Sequence, residues 1–190
     1  MTHPSKQSIR KKNIRQRSAL PKDVQLAASQ AICQHLQHWA PFQHATHIAL
    51  YQAVHGEIDL KALWHQASLD NKHYYLPRIN ENLTLSFITT TQGAPCHINR
   101  FGIEEPLSPP GDLLLPEKFD MIMLPVVAFD KTGTRLGMGA GYYDRTLTDI
   151  QGPLLVGIAY ECQREVDLQV DPLDIPLQVI ITETGVHWCR

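Results

Sequence analysis

The loop from Gly133 to Asp144, Gly-Thr-Arg-Leu-Gly-Met-Gly-Ala-Gly-Tyr-Tyr-Asp, holds the densest set of chemically capable residues in the chain. Gly137, Gly139 and Gly141 alternate with larger residues, leaving backbone amides uncovered and tolerating positive φ. Those are the conditions for a nest of N–H groups around phosphate oxygens. Arg135 suits bidentate pairing with a phosphate, and Asp144 suits a Mg²⁺ that bridges phosphate oxygens. A helix opening near Gly141 adds its N-terminal dipole to the same anion. The loop is not a Walker A sequence, and its GxGxG spacing differs from the dinucleotide GxGxxG. A glycine-rich strand-to-helix turn with a purely structural role has the same composition, so spacing alone leaves both readings open.

Other residues are candidates on weaker grounds. Residues 1 to 22 carry Lys6, Arg10, Lys11, Lys12, Arg15, Arg17 and Lys22 without an acid. A transit peptide, a solvated helix face, or a helix presenting cations to an anionic ligand would all look like this, and composition does not choose. Glu57 matches a heterocycle's adjacent N–H donors in planar, two-point fashion, or serves as an acid at a helix N-terminus. Tyr142 and Tyr143 either wall a flat heterocycle or anchor a helix. The histidines, including His35 and His38, lack acidic partners at ligand spacing and are expected on solvated faces.

These residues need elements to position them. Residues 5 to 17 read as a first helix. Val24, Ala27, Ala28, Ala31, Ile32, Leu36 and Trp39 recur at helical spacing and predict an amphipathic second one, with Pro21 in its first turn. His47 to Tyr51 has strand length and apolarity. A turn at His55-Gly56 follows, then a helix capped by Asp59 with Leu63, Trp64 and Ala67 inward. Strands are expected at His73 to Leu76, stopped by Pro77, and at Leu83 to Ile88. Gly93 to Lys118 is rich in Pro and Gly and is expected as an extended loop. Met121 to Ala128 is apolar on both alternating sets, as a central strand of a doubly covered parallel sheet requires. A helix over Tyr142 to Ile150 and strands at Leu154 to Tyr160 and Val179 to Thr182 complete the pattern. Alternating strands and helices predict an α/β fold: a three-layer α/β/α sandwich, Rossmann-like, with a mainly parallel central sheet. Ligands in such sheets sit at the carboxyl ends of strands, where the loops after Tyr51 and Ala128 emerge.

At 190 residues the chain suits one domain. Its 17 basic and 19 acidic residues give no global field for a polyanion, which must therefore be met locally. Cys33, Cys96, Cys162 and Cys189 form no CxxC pair and are expected as reduced thiols. No run approaches the ~18 apolar residues of a membrane span, and no secretory signal is visible, so a cytoplasmic protein without membrane or nucleic-acid partners is expected.

The string from Met123 to Leu147, with Leu-Pro-Val-Val-Ala-Phe-Asp130, Arg135-Leu-Gly137, the glycine cluster and Tyr142-Tyr-Asp144, resembles the signature of 5-formyltetrahydrofolate cyclo-ligases. The resemblance extends to Lys6-Gln-Ser-Ile-Arg10, Tyr51-Gln-Ala-Val-His-Gly-Glu-Ile-Asp59, Leu76-Pro-Arg78, Asn99-Arg-Phe-Gly-Ile-Glu-Glu-Pro106 and the Asp174-Ile-Pro segment. It implies ATP contacts from Lys6, Arg10 and the loop Arg135, Leu136, Gly137, Met138, Gly139, Ala140, Gly141, Tyr142 and Tyr143. It further implies folate contacts from Gln52, Glu57 and Tyr142, and Mg²⁺ on Asp144 and Asp174. By the same resemblance Arg135 and Asp144 are expected to carry the catalytic roles. Many relatives have a basic residue where Met138 stands, so only its backbone inherits a contact. Ala140 replaces a glycine found in several members. The remaining N-terminal cations are expected to be solvated. The implied reaction converts 5-formyltetrahydrofolate to 5,10-methenyltetrahydrofolate as ATP becomes ADP and phosphate, carried out by a monomer. The alternatives are a sugar-phosphate isomerase-like enzyme using the loop without ATP, and a nucleic-acid-binding module using the basic arm.

Overall fold

A strand that is apolar at every position needs cover on both faces. The computed structural model, which describes residues 5–66, 71–91, 93–107 and 113–190, provides it for Met121–Pro125. Met121 and Met123 pack with Ile32, Leu36 and Ile48 on one side, whereas Ile122 and Leu124 pack with Phe87, Leu147 and Leu155 on the other.

In chain order the elements are α1 (Lys6–Ser18), α2 (Lys22–Gln37), α3 (Ala40–His44), β1 (His47–Ala49), β2 (His73–Ile79), β3 (Leu85–Thr89), β4 (Cys96–Ile98) and β5 (Glu104–Pro106). They continue with β6 (Leu113–Leu114), β7 (Met121–Pro125), β8 (Ala128–Phe129), β9 (Arg135–Leu136), α4 (Tyr142–Leu147), β10 (Leu154–Ile158), β11 (Val179–Thr182) and β12 (Gly185–Trp188). Short 3-10 turns lie at Lys61–Gln66, Pro116–Lys118 and Glu161–Gln163. The 8-stranded sheet has the order β12-β11-β10-β7-β1-β2-β3-β6. Pairings from β11 to β2 are parallel, and β12, β3 and β6 add antiparallel edges. The expected mainly parallel α/β sheet is present. Its second outer layer is thin, made of α4 and irregular segments bearing Phe119 and Leu177.

Several boundaries differ from expectation for identifiable reasons. The buried seam of α2 is Ala28, Ser29, Ile32, Cys33 and Leu36, while Val24 and Ala27 face outward. The first turn is held instead by Gln25, whose amide donates to the Arg17 and Leu20 carbonyls, and Pro21 sits one step before the helix as its N-cap. Strand β2 runs through Pro77 rather than stopping there. The Tyr74 carbonyl accepts from Thr90, so even-numbered residues bond β3 and the Pro77 nitrogen points the other way, past the end of β1. Leu83 lies in a left-handed turn, so the next strand starts at Leu85.

Strand β7 ends at Pro125, because the chain diverts into the β8–β9 hairpin and Gln163 takes the Val126 and Val127 carbonyls. Helix α4 stops at Leu147, ahead of a left-handed Asp149. The helix expected after Asp59 is a 3-10 turn whose Lys61 amide donates to the Asp59 carboxylate; Ala67 lies outside the described residues. The expected loop from 93 to 118 contains the β4–β5 hairpin and β6, with 108–112 outside the description. Trp39 and Trp64 pack against the core as expected.

Candidate active site

The loops leaving β1, β7 and β9 meet the β4–β5 hairpin around a cleft of about 400 Å³. Arg10, Gln52, Glu57, Asp174 and every residue from Arg135 to Asp144 line it.

At one end Arg135, only 4% exposed, donates from Nη2 to Asp144 Oδ1 at 2.8 Å, while its buried Nε has no partner among the described residues. The N-terminal helix delivers Arg10 to this loop, where its Nε donates to the Gly137 carbonyl at 2.9 Å. Gly139 has φ +101°, and a Cβ there would lie 3.5 Å from the Arg10 guanidinium carbon. Gly141 is left-handed at φ +68°, whereas Gly137 needs no positive φ. Among the described residues, no protein acceptor takes the amides of Met138, Gly139 or Ala140. Because α4 has only 6 residues, an anion placed here would rest on these amides and the two guanidiniums rather than on a macrodipole.

Lys6 closes this end, donating to Asp171 Oδ2 at 2.6 Å and Asp174 Oδ2 at 2.7 Å. Burial works against the Lys6 cation, but the two carboxylates outweigh it and raise its pKa. Burial likewise opposes ionisation of Asp174, yet Lys6 and the Asp171 amide hold its carboxyl below the usual value. Among the described residues no group of three or more acidic, His or Cys side chains gathers as a metal cage. Asp144 and Asp174 nevertheless fit Mg²⁺. Asp144 Oδ1 is taken by Arg135 and the Ile175 amide, and Asp174 Oδ2 by Lys6 and the Asp171 amide, which leaves one oxygen of each carboxylate uncommitted. One or two carboxylates completed by water and phosphate is the set Mg²⁺ favours.

At the other end Glu57 is buried. Its Oε1 accepts from Arg17 Nη2 at 3.0 Å and its Oε2 from the Val54 amide at 3.1 Å. No helix begins at Glu57, so it is not a helix-terminal acid. Burial pushes its carboxyl up, and Arg17 opposes without cancelling. Burial also raises the Tyr143 phenol, with the Glu57 charge adding and Arg135 subtracting, so Tyr143 sits between the two ends. Gln52 Nε2 donates to Glu104 at 3.2 Å, and the Tyr142 hydroxyl accepts from Arg100 at 2.9 Å, with Phe101 edge-on to its ring.

Three features escaped sequence reasoning. Asp171 joins the Lys6 cluster, and the hairpin supplies Asn99, Phe101, Ile103 and Glu105 to the cleft wall. Arg17, expected in solvent, is 0% exposed. Its spacing carried the signal, since Lys6, Arg10, Asn13 and Arg17 fall on one helical face.

Fold and cleft together define an α/β protein whose parallel strands direct a glycine-rich loop toward a cleft walled by Phe101, Tyr142 and Tyr143. Residues 2–183 match the model of the 5-formyltetrahydrofolate cyclo-ligase family, and the chain belongs to that family. A 5-formyltetrahydrofolate cyclo-ligase of Haemophilus influenzae is 37% identical over 181 residues, 93% of this chain and 97% of its own. That of Escherichia coli K12 is 34% identical, over 91% and 98% respectively. The 5,10-methenyltetrahydrofolate synthetase of Aquifex aeolicus superposes with a TM-score of 0.86 at 36% identity, covering 97% of this chain and 93% of its own. Neither the isomerase nor the nucleic-acid reading finds support among these relatives.

Proposed function

We propose that the chain converts 5-formyltetrahydrofolate to 5,10-methenyltetrahydrofolate with ATP, releasing ADP and phosphate. The observation that carries this reading is the single cleft in which the cationic glycine loop at Arg10 and Arg135 adjoins Glu57 and Tyr143. A formamide oxygen is a poor leaving group. Transfer of the γ-phosphoryl to it makes the carbon electrophilic, N10 attacks that carbon and loses its proton, and the oxygen departs within phosphate.

The chain's own residues bind and orient. Arg10, Arg135 and the amides of 137 to 141 hold phosphate oxygens in place, and Lys6 neutralises charge there once released from its carboxylates. Glu57 accepts from the pterin's adjacent N–H groups, Gln52 bonds its rim, and Tyr142 and Tyr143 wall its plane. Mg²⁺, held by Asp144 and Asp174, would supply charge neutralisation between phosphate oxygens. The same reading takes the chain as a single-domain, monomeric, cytoplasmic enzyme. Incubation with 5-formyltetrahydrofolate and MgATP should raise the near-ultraviolet absorbance of the methenyl product, with no rise when ATP is omitted. Absence of an ATP-dependent rise sinks the proposal.

A further inference from the structure

A fully buried guanidinium needs partners for its donors and a counter-charge. Arg17 finds these in three separate segments. Its Nη2 meets Glu57 Oε1 at 3.0 Å, its Nε donates to the His55 carbonyl at 3.1 Å, and its Nη1 donates to the Val126 carbonyl at 3.2 Å. It therefore ties helix α1 both to the turn bearing Glu57 and to the exit of the central strand. Among the described residues Glu57 Oε2 takes only the Val54 amide, so the carboxylate of this cleft-lining residue keeps acceptor capacity.

We propose that Arg17 is a positioning residue for Glu57: its guanidinium fixes the charged, oriented carboxylate that faces the flat heterocycle of the substrate. This rests on the functional reading above. A lysine would keep the charge but lose the planar fork that reaches three acceptors at once. The other titratable groups set against Glu57 are Tyr51, His55, Tyr143 and Tyr160, and among the described residues none of them hydrogen-bonds its carboxylate as Arg17 does.

The test is calorimetric binding of 5-formyltetrahydrofolate, and separately of a non-hydrolysable MgATP analogue, to wild type, Glu57→Gln, Arg17→Met, Arg17→Lys and the Arg17→Met/Glu57→Gln double variant. The single variants should each lose about tenfold or more in folate affinity. The double variant should bind folate no worse than Glu57→Gln, because Arg17 acts through Glu57. It carries no lone buried charge, so it serves even if Arg17→Met fails to fold. Analogue affinity should stay within about twofold throughout, as a merely unfolded protein would not allow.

Removing the guanidinium raises the Glu57 pKa further. Folate binding by Arg17→Lys and wild type should therefore persist to lower pH than binding by Arg17→Met, and the double variant should lose that acid limb. Losses that multiply in the double variant overturn the proposal. A wild-type protein that binds the analogue but no folate overturns both this and the functional reading, whereas normal folate binding with unaffected Arg17 variants overturns this alone.

Discussion

At the scale of single residues, the Arg135–Asp144 pair shows what spacing reveals and what it conceals. Their types and separation marked them as phosphate and cation partners. That they bond each other, with Arg135 4% and Asp144 23% exposed, depends on a hairpin and a helix packing together. The asymmetry makes a prediction. Arg135→Ala leaves an aspartate that can reach water, but Asp144→Asn strands a buried guanidinium, so the second should lower the urea midpoint more. Both should cut turnover by about a hundredfold or more in the methenyl absorbance assay, and near-wild-type turnover in either removes that residue from the mechanism. The Lys6–Asp174 pair adds a pH signature. The Asp174 pKa is depressed in the fold, so its contribution is present above its ordinary unfolded value and fades as pH falls through the lower folded one. Lys6 is raised, so its share is full below the unfolded lysine value and fades only as pH rises through the folded one. Urea titrations should accordingly show Asp174→Asn losing stability at neutral pH, with the difference from wild type shrinking as pH falls below the ordinary aspartate range. Arg17 was only half legible: its place on the face of Lys6, Arg10 and Asn13 set it apart from solvated charges, but its partners, a carboxylate 40 positions away and the His55 and Val126 carbonyls, come from distant segments.

At the scale of elements, periodicity located the core of α2 and the parallel strands, because burial of one or both faces imposes a repeat, whereas the polar α1 was bounded by the proline that follows it. It missed β12, β6 and the β4–β5 hairpin, whose positions are set by edges and cleft walls rather than by the core. It also placed the strand end at Pro77, where edge geometry removes the penalty. The glycine loop is the element most open to test. Gly139→Ala forces a side chain into φ +101°, at a cost of about 1–2 kcal/mol, with ordinary contact to Arg10. The loop is exposed there, so relaxation should spare the fold and instead raise the KM for ATP several-fold, leaving the KM for folate near wild type. The hairpin predicts the reverse. Phe101 is 48% exposed and touches Tyr142 edge-on, so Phe101→Ala should change the thermal midpoint little and raise the KM for folate. An equal rise in both KM values for either variant would show that the cleft is not divided in this way.

At the scale of the whole molecule, a net charge of −2 offers an incoming nucleotide no long-range attraction, so its recognition is a local balance. In the unliganded protein Lys6 is committed to Asp171 and Asp174, and Arg135 to Asp144. Under the proposed function, ATP arriving without a divalent cation would compete with three carboxylates for those cations and then lie beside them unscreened. On the same reading, ATP arriving with Mg²⁺ would offset the charge of Asp144 and Asp174 and free Lys6 for phosphate. Ligand linkage converts this difference into stability: occupancy at a hundred times Kd adds about 2.7 kcal/mol, worth about 5–11 °C in a chain of this size. MgATP should therefore raise the thermal midpoint by several degrees at millimolar concentration, and ATP with chelator by clearly less. Lys6→Met should narrow the gap by weakening the MgATP shift. Equal shifts with and without the cation would mean that the acidic residues at the cleft mouth do not oppose the nucleotide, and that the pairing of Lys6 is structural rather than a charge held in reserve.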